Sequence, residues 1–147
     1  MADQSVPAGF RDVTMDRKVL IVEDELLIAL DLEDMVESNG LQVAAIANTM
    51  ARALAAAPYA DIALVDVNLS DGPTGPAIGR MLAEQYGIAV VFMTANPEAV
   101  AGGIHGTLGV LRKPVQPGMV AQTLKYALGR LTGQSAAVPP DMEVFAA

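Results

Sequence analysis

Short apolar runs of strand length alternate along this chain with segments whose apolar residues recur at helical spacing. The runs are Val19–Val22, Val43–Ile46, Ile62–Val65, Ile88–Met93 and Gly109–Leu111. After the first run, Ile28, Leu32, Met35 and Val36 share one helical face while Asp31, Asp34 and Glu37 face water, and Asn39-Gly40 supplies a left-handed stop. After the last run, Val120, Leu124, Ala127, Leu128 and Leu131 keep the same spacing behind Pro117, a residue suited to a first helical turn. The weak element is Asn96–Thr107, where Gly102, Gly103 and Gly106 predict a fourth helix that is short or mobile.

Strand and helix units joined by short connections predict an α/β domain: a doubly wound, five-stranded parallel sheet with right-handed crossovers and helices on both faces. Residues 1–16 lack an apolar period and are expected to be a flexible lead-in; the ordered domain is expected over 17–131. The segment 132–147, TGQSAAVPPDMEVFAA, is expected to be a flexible tail with no output domain. Val144 and Phe145 could cover an apolar patch, but a frayed terminus is the expectation.

At 147 residues the chain suits one compact domain, and a 52% hydrophobic composition with few aromatics suits helices packed on a parallel sheet. The net charge of -8 leaves no basic footprint for a phosphate backbone, so direct nucleic-acid binding is not expected. With no cysteine, thiolate metal sites and thiol nucleophiles are excluded. No segment approaches the roughly 20 apolar residues that span a bilayer, so the chain reads as a cytoplasmic protein without a membrane partner.

In doubly wound sheets chemistry gathers outside the carboxyl ends of the strands. The strand ends here carry Glu23-Asp24, Asp66, Thr94 and Lys113-Pro114. If the strand order is 2-1-3-4-5, these residues converge. Three acids packed together repel unless a cation relieves them, and an oxygen-only cluster suits a hard divalent ion, with Mg²⁺ the natural candidate. Asp66 can then act as a carboxylate nucleophile toward a phosphoryl group, Lys113 can neutralise charge on its oxygens, and Thr94 can donate a hydrogen bond to the product. Each residue alone has a plainer reading. Asp24 could cap the following helix, Asp66 could start a turn, Thr94 could bond locally, and Lys113 could be a solvated cation. Their occurrence together at four strand ends favours the shared site.

The segments IVEDE, LVDVNLSDGPTG, FMTAN and LRKP resemble the signatures of response-regulator receiver domains, over roughly Lys18 to Leu131. The resemblance implies a flavodoxin-like fold with Asp66 as phosphoacceptor. It implies Glu23 and Asp24 as the metal-site acids, with Asp24 the more direct ligand, and the backbone carbonyl of Asn68 completing the Mg²⁺ shell with Asp66. It further implies Thr94 as the switch hydroxyl, Ala95 as the small residue beside the phosphoryl group, and Lys113 as the phosphate-pairing lysine, joined to Pro114 by a cis bond. Val110 stands where familiar receivers carry an aromatic switch residue. The Phe92-Met93-Thr94 context and the glycine-rich stretch instead resemble a variant receiver class whose fourth helix is loose and orders on phosphorylation. The loop Asp71-Gly72-Pro73-Thr74-Gly75 is about one residue longer than usual for the family.

The resemblance implies a sensor histidine kinase as phosphodonor, with output through an effector protein, relay to a His-phosphotransfer protein, or a phosphate-sink role. It implies a phosphoacceptor that assists its own phosphorylation and dephosphorylation, not an enzyme with external substrates. An aspartate-nucleophile phosphatase normally needs a second acid two residues after the first, and that residue is Asn68. The other alternative is a non-phosphorylated pseudo-receiver that acts by binding. His105, the only histidine, lies between glycines in an expected loop and is assigned no role.

Overall fold

The computed structural model describes residues 16–146, so the expected lead-in 1–16 lies almost wholly outside the described residues. The strands are β1 (Lys18–Val22), β2 (Gln42–Ala47), β3 (Ile62–Val65), β4 (Ala89–Thr94), β5 (Gly109–Arg112) and β6 (Glu143–Val144). The helices are α1 (Leu26–Ser38), α2 (Met50–Ala56), α3 (Gly75–Tyr86) and α4 (Pro117–Thr132). The sheet runs β2-β1-β3-β4-β5-β6, parallel throughout except for β6, which is antiparallel to β5.

The first five strands are covered on both faces, which is why they read as continuous apolar runs. Val19, Ile21, Ile62, Leu64, Val91 and Met93 pack under α1 and α4. Their neighbours Leu20, Val22, Ala63, Val65, Val90 and Phe92 pack on the opposite face, under α2 and α3. Successive side chains of a strand point to opposite faces, so each strand supplies both layers.

The helix ends follow from local chemistry. Thr49 caps α2 by accepting from the Arg52 backbone N–H at 3.3 Å. Gly40, with φ of 85°, turns the chain out of α1, as Asn39-Gly40 suggested. The plainer reading of Asp24 as a cap does not hold: the residue preceding α1 is Glu25, and no side chain caps that helix.

Between β4 and β5 no α-helix forms; a 3₁₀ turn at Pro97–Val100 and an irregular glycine-rich stretch take its place. Three glycines there, at 102, 103 and 106, have positive φ, a conformation that breaks a regular helix. The short element expected from the sequence is what the chain adopts.

The tail departs from expectation. Instead of fraying after α4, the chain returns so that Glu143 and Val144 pair with Val110 and Gly109 of β5. Met142 is buried in the α1/α4 layer, and Phe145 packs against the layer that contains Phe92. Apolar side chains on either side of a two-residue strand hold it, a signal too short to show as periodicity in a Pro- and Ala-rich segment.

Candidate functional site

The sheet register brings four chemistry-bearing strand ends level. Val22, Val65, Phe92 and Val110 lie side by side across β1, β3, β4 and β5. Ladder hydrogen bonds continue past them: the Asp66 N–H donates to the Val22 carbonyl at 2.9 Å, and the Lys113 N–H to the Thr94 carbonyl at 2.9 Å. Glu23 is fixed likewise, its N–H donating to the Ala47 carbonyl at 2.9 Å. The functional side chains therefore stand on the rigid edge of a sheet, not on mobile loops.

Glu23, Asp24 and Asp66 each offer a carboxylate oxygen within 4.8 Å of the others. Lys113 reaches into this group, its Nζ donating to Asp66 Oδ2 at 2.7 Å and to Glu23 Oε1. Glu23 is buried, Asp66 and Lys113 are largely so, and Asp24 is exposed at the mouth. Glu23 Oε2 also accepts from the Glu25 N–H at 3.2 Å, and Asp66 Oδ1 accepts from the Val67 N–H at 2.7 Å. Burial pushes the Glu23 carboxyl above the ordinary glutamate range, against the pull of Lys113. Burial acts to lower Lys113, but its hydrogen bonds to Asp66 and Glu23 prevail and hold the ammonium above the usual lysine value. A charged lysine is what lets two acids sit so close.

Thr94 is buried at the end of β4, and its Oγ1 accepts from the Asn96 N–H at 3.1 Å. A hydroxyl that accepts in this way still has its own proton to donate. Thr94, Ala95 and Asn68 border the same cleft of about 560 Å³ as Asp24, Asp66 and Lys113. Thus the structure gathers at this edge the residues that the sequence placed there: Glu23 is bonded to Lys113, as Asp66 is, and Asn68 borders the cleft with an exposed side chain. The Lys113–Pro114 peptide bond is cis. His105 is exposed, bonds Glu84 at 2.9 Å and does not line the cleft.

Two features escaped the sequence reading. Gly75, the first residue of α3, donates its N–H to the Val67 carbonyl at 2.9 Å and lies against the Asp66 backbone. Asp71 ties the loop after β3 to the start of α2, accepting from the Met50 N–H at 3.0 Å and from the Thr74 hydroxyl at 2.7 Å. Those two bonds hold the Asp71 carboxyl below the ordinary aspartate range. The loop's extra length was the one visible sign of this arrangement. The cleft also has an apolar arm, walled by Ile28, Leu32 and Met35 of α1 together with Met93 and Val115.

The oxygen-only donor set fits a hard cation: three carboxylates converge, one of them exposed to solvent at the mouth. This chemistry suits Mg²⁺, which binds through one or two carboxylates and keeps several waters.

The family model described as response regulator receiver domain matches residues 19–125. The phyllosphere-induced regulator PhyR of Methylorubrum extorquens is 36% identical over 118 residues, 78% of this chain and 44% of the relative. The PhyR receiver domain of Erythrobacter litoralis superposes with a TM-score of 0.70 at 31% identity, covering 84% of this chain and 95% of that one. The anti-anti-sigma factor PhyR of Bartonella quintana gives a TM-score of 0.68 at 32% identity, covering 83% of this chain and 52% of that one. The chain thus spans about half or less of the full-length PhyR proteins it matches.

Proposed function

This chain belongs to the response regulator receiver domain family, and on that premise we propose that it accepts a phosphoryl group on Asp66, with Mg²⁺, and signals by a phosphorylation-dependent change in protein binding. The observation that carries the reading is the Lys113 ammonium held between Glu23 and Asp66 beside a cluster of three carboxylates. A scaffold that only binds a partner gains nothing from crowding acids at one sheet edge, since they repel unless paired.

In the proposed reaction, a carboxylate oxygen of Asp66 attacks phosphorus. The Asp66 O–P bond forms as the bond from phosphorus to the donor, a phosphohistidine nitrogen in a sensor kinase or the acyl oxygen of acetyl phosphate, breaks. The donor leaves with the bonding electron pair. Lys113 moves from pairing the carboxylate to pairing a phosphoryl oxygen, so its charge is reused without a change of protonation. Thr94 donates a hydrogen bond from its hydroxyl to another phosphoryl oxygen, and Ala95 leaves space beside it. Glu23, Asp24, Asp66 and the Asn68 carbonyl are the groups to hold Mg²⁺, which when bound supplies charge neutralisation for the phosphoryl oxygens. The product is an acyl phosphate, reversible by hydrolysis. The chain is in this reading a phosphoacceptor that assists its own modification and not an enzyme with an external substrate.

The signal passes to a protein. A net charge of -8 disfavours a nucleic-acid partner, and no helix among the described residues is long and apolar enough to cross a membrane. The B. quintana relative is an anti-anti-sigma factor, which supports protein-to-protein output for this chain also. A sensor histidine kinase is the proposed donor, a His-phosphotransfer protein or an effector the proposed recipient, and the cytoplasm the proposed place. The test is intact mass after incubation with acetyl phosphate, with and without Mg²⁺, for the wild type and Asp66→Asn. A Mg²⁺-dependent gain of one phosphoryl group, absent in the variant, is expected.

A second reading, the pseudo-receiver that binds without phosphorylation, draws on one observation. The cluster is internally satisfied: Lys113 already bonds both acids, and no buried side-chain polar atom among the described residues lacks a partner. Failure of both acetyl phosphate and a kinase donor to label Asp66 would select it.

A further inference from the structure

The returning tail grips the edge of β5 from both faces. Residues three apart on an extended segment point to opposite sides, and here Met142 enters the α1/α4 layer while Phe145 lies on the Phe92 layer. The Phe145 ring stands 6.4 Å from that of Phe92, tilted by 47°. Its N–H donates to the Leu108 carbonyl at 3.0 Å, and Glu143 and Val144 complete the ladder opposite Val110 and Gly109.

The receiving surface is shaped for a chain segment. A β-carbon on Gly109 would lie 2.5 Å from the Glu143 carbonyl oxygen, and one on Gly103 would lie 3.3 Å from the Phe145 side chain. Two separate elements thus withhold side chains where the tail runs. The sheet face beneath Phe145 is open to it because the connection from β4 to β5 makes only the four-residue turn Pro97–Val100 in place of a full helix. Without the tail, an unpaired strand edge and the apolar surface of Phe92, Val110 and Ile104 would face solvent, a combination that recruits extended peptides.

The resident segment is lightly held. Its strand is two residues long, Glu143 is exposed and Val144 is 42% exposed, and it is joined to α4 by an irregular stretch from Gly133 to Asp141. We propose that the outer edge of β5 is a strand-addition groove for an extended segment of a partner protein. That segment carries a large apolar residue and, three positions later, an aromatic one, and Met142–Phe145 is the chain's own competitor for the groove. A second copy of this chain is a poor donor of the segment: each copy carries a net charge of -8, and its segment is already paired with its own β5, where the tether favours it over a free neighbour. The groove does not depend on phosphorylation, so it stands or falls separately from the Asp66 reading.

The test uses the full chain and a fluorescein-labelled peptide with the sequence of residues 138–146, followed by fluorescence polarisation. A tethered competitor acts at an effective concentration near millimolar, so disabling it should lower the peptide's Kd by about tenfold or more. Met142→Ala/Phe145→Ala should therefore bind the peptide at least that much more tightly than the wild type, and a peptide with Ala in place of its Phe should lose the gain. If the double variant fails to fold, Glu143→Pro replaces it, since this exposed position contributes to the ladder without filling the core. Equal affinity for wild type and variant, binding indifferent to the peptide's Phe, or no binding to either chain overturns the proposal. So does a wild-type dimer by sedimentation that is lost in the double variant, because it gives the groove to a second copy.

Discussion

Gly75 opens α3 directly against the backbone of Asp66. A β-carbon at position 75 would stand 2.0 Å from the Asp66 carbonyl oxygen and 2.6 Å from Cα of Val67. No side chain rotation relieves such a contact, because both partners are backbone. The consequence is that the start of α3 and the end of β3 move together, and the carboxylate of Asp66 is held in place from behind.

Gly75→Ala should therefore cost about 1–3 kcal/mol of stability, the range for overpacking a closely fitted site. It should also slow acetyl phosphate labelling of Asp66 while leaving Asp66 in place. Urea denaturation and a labelling time course measure the two effects. Gly72→Ala, three residues earlier where nothing lies within 4 Å but φ is +110°, should strain only the loop and leave labelling nearer to wild type.

Much of this arrangement was legible in the sequence, and the parts that were not share a cause. Strands buried on both faces announce themselves as apolar runs, and polar residues at their ends stand out against that background, so Glu23, Asp66, Thr94 and Lys113 could be placed at one edge before any coordinates. The strand order 2-1-3-4-5 entered as the condition for that convergence, and the sheet has it. What the sequence hid is set by contacts between distant residues. Gly75 looks like any loop glycine until Asp66 is brought against it. Met142 and Phe145 look like two isolated apolar residues in a coil until β5 lies between them. The bond from Lys113 to Glu23 spans 90 residues of chain, and nothing in the residue types alone announced it.

Glu23 gives the cluster a pH signature in the absence of divalent metal. Burial raises its carboxyl above the ordinary value of 4.5. Between that value and the raised one, the folded chain holds more protons than the unfolded chain, so unfolding free energy falls as pH rises. The contribution is full below about 4.5 and is lost as pH climbs through the raised value. Lys113, shifted upward from 10.5, stays charged across this window and contributes no slope. In EDTA-containing buffer from pH 4.5 to 7, the wild type should lose ground to Glu23→Gln, whose amide oxygen still accepts from Lys113. Urea midpoints across that range measure the gap, and a constant gap would contradict the assignment. Saturating Mg²⁺ should restore the wild type by mass action, about 2.7 kcal/mol at a hundred times Kd.

The segment between β4 and β5 should be the most open part of the sheet's surroundings. Its internal backbone bonds are short-range: Ala99 to Asn96, Ala101 to Glu98, Gly103 to Val100 and Thr107 to Ile104, each spanning three residues. Such turns protect amides poorly compared with a ladder. Amides of 96–107 should exchange faster than those of Ala89–Thr94 in the unmodified chain. Beryllofluoride with Mg²⁺ should slow them, because Thr94, whose hydroxyl accepts from the Asn96 N–H, is the group expected to meet the phosphoryl mimic. Unchanged exchange would separate this segment from the switch.

The start of α1 offers a way to separate docking of a kinase from the chemistry at Asp66. Leu26, Leu27 and Leu30 are 65%, 79% and 43% exposed on the helix that walls the cleft, an apolar cluster where a soluble helix ordinarily presents polar groups. Acetyl phosphate, a small donor, needs only the cleft, whereas a phosphohistidine delivered by a protein must bring a surface against its rim. Leu27→Asp removes no core packing and adds a charge to the patch, so stability should change by no more than about 0.5 kcal/mol. Labelling by acetyl phosphate should match the wild type, while transfer from a histidine kinase should fall by about tenfold or more, the effect of losing roughly 1.4 kcal/mol of docking free energy. Parallel loss of both activities would place Leu27 in the folding or the chemistry of the site, and equal retention of both would move the kinase contact away from α1.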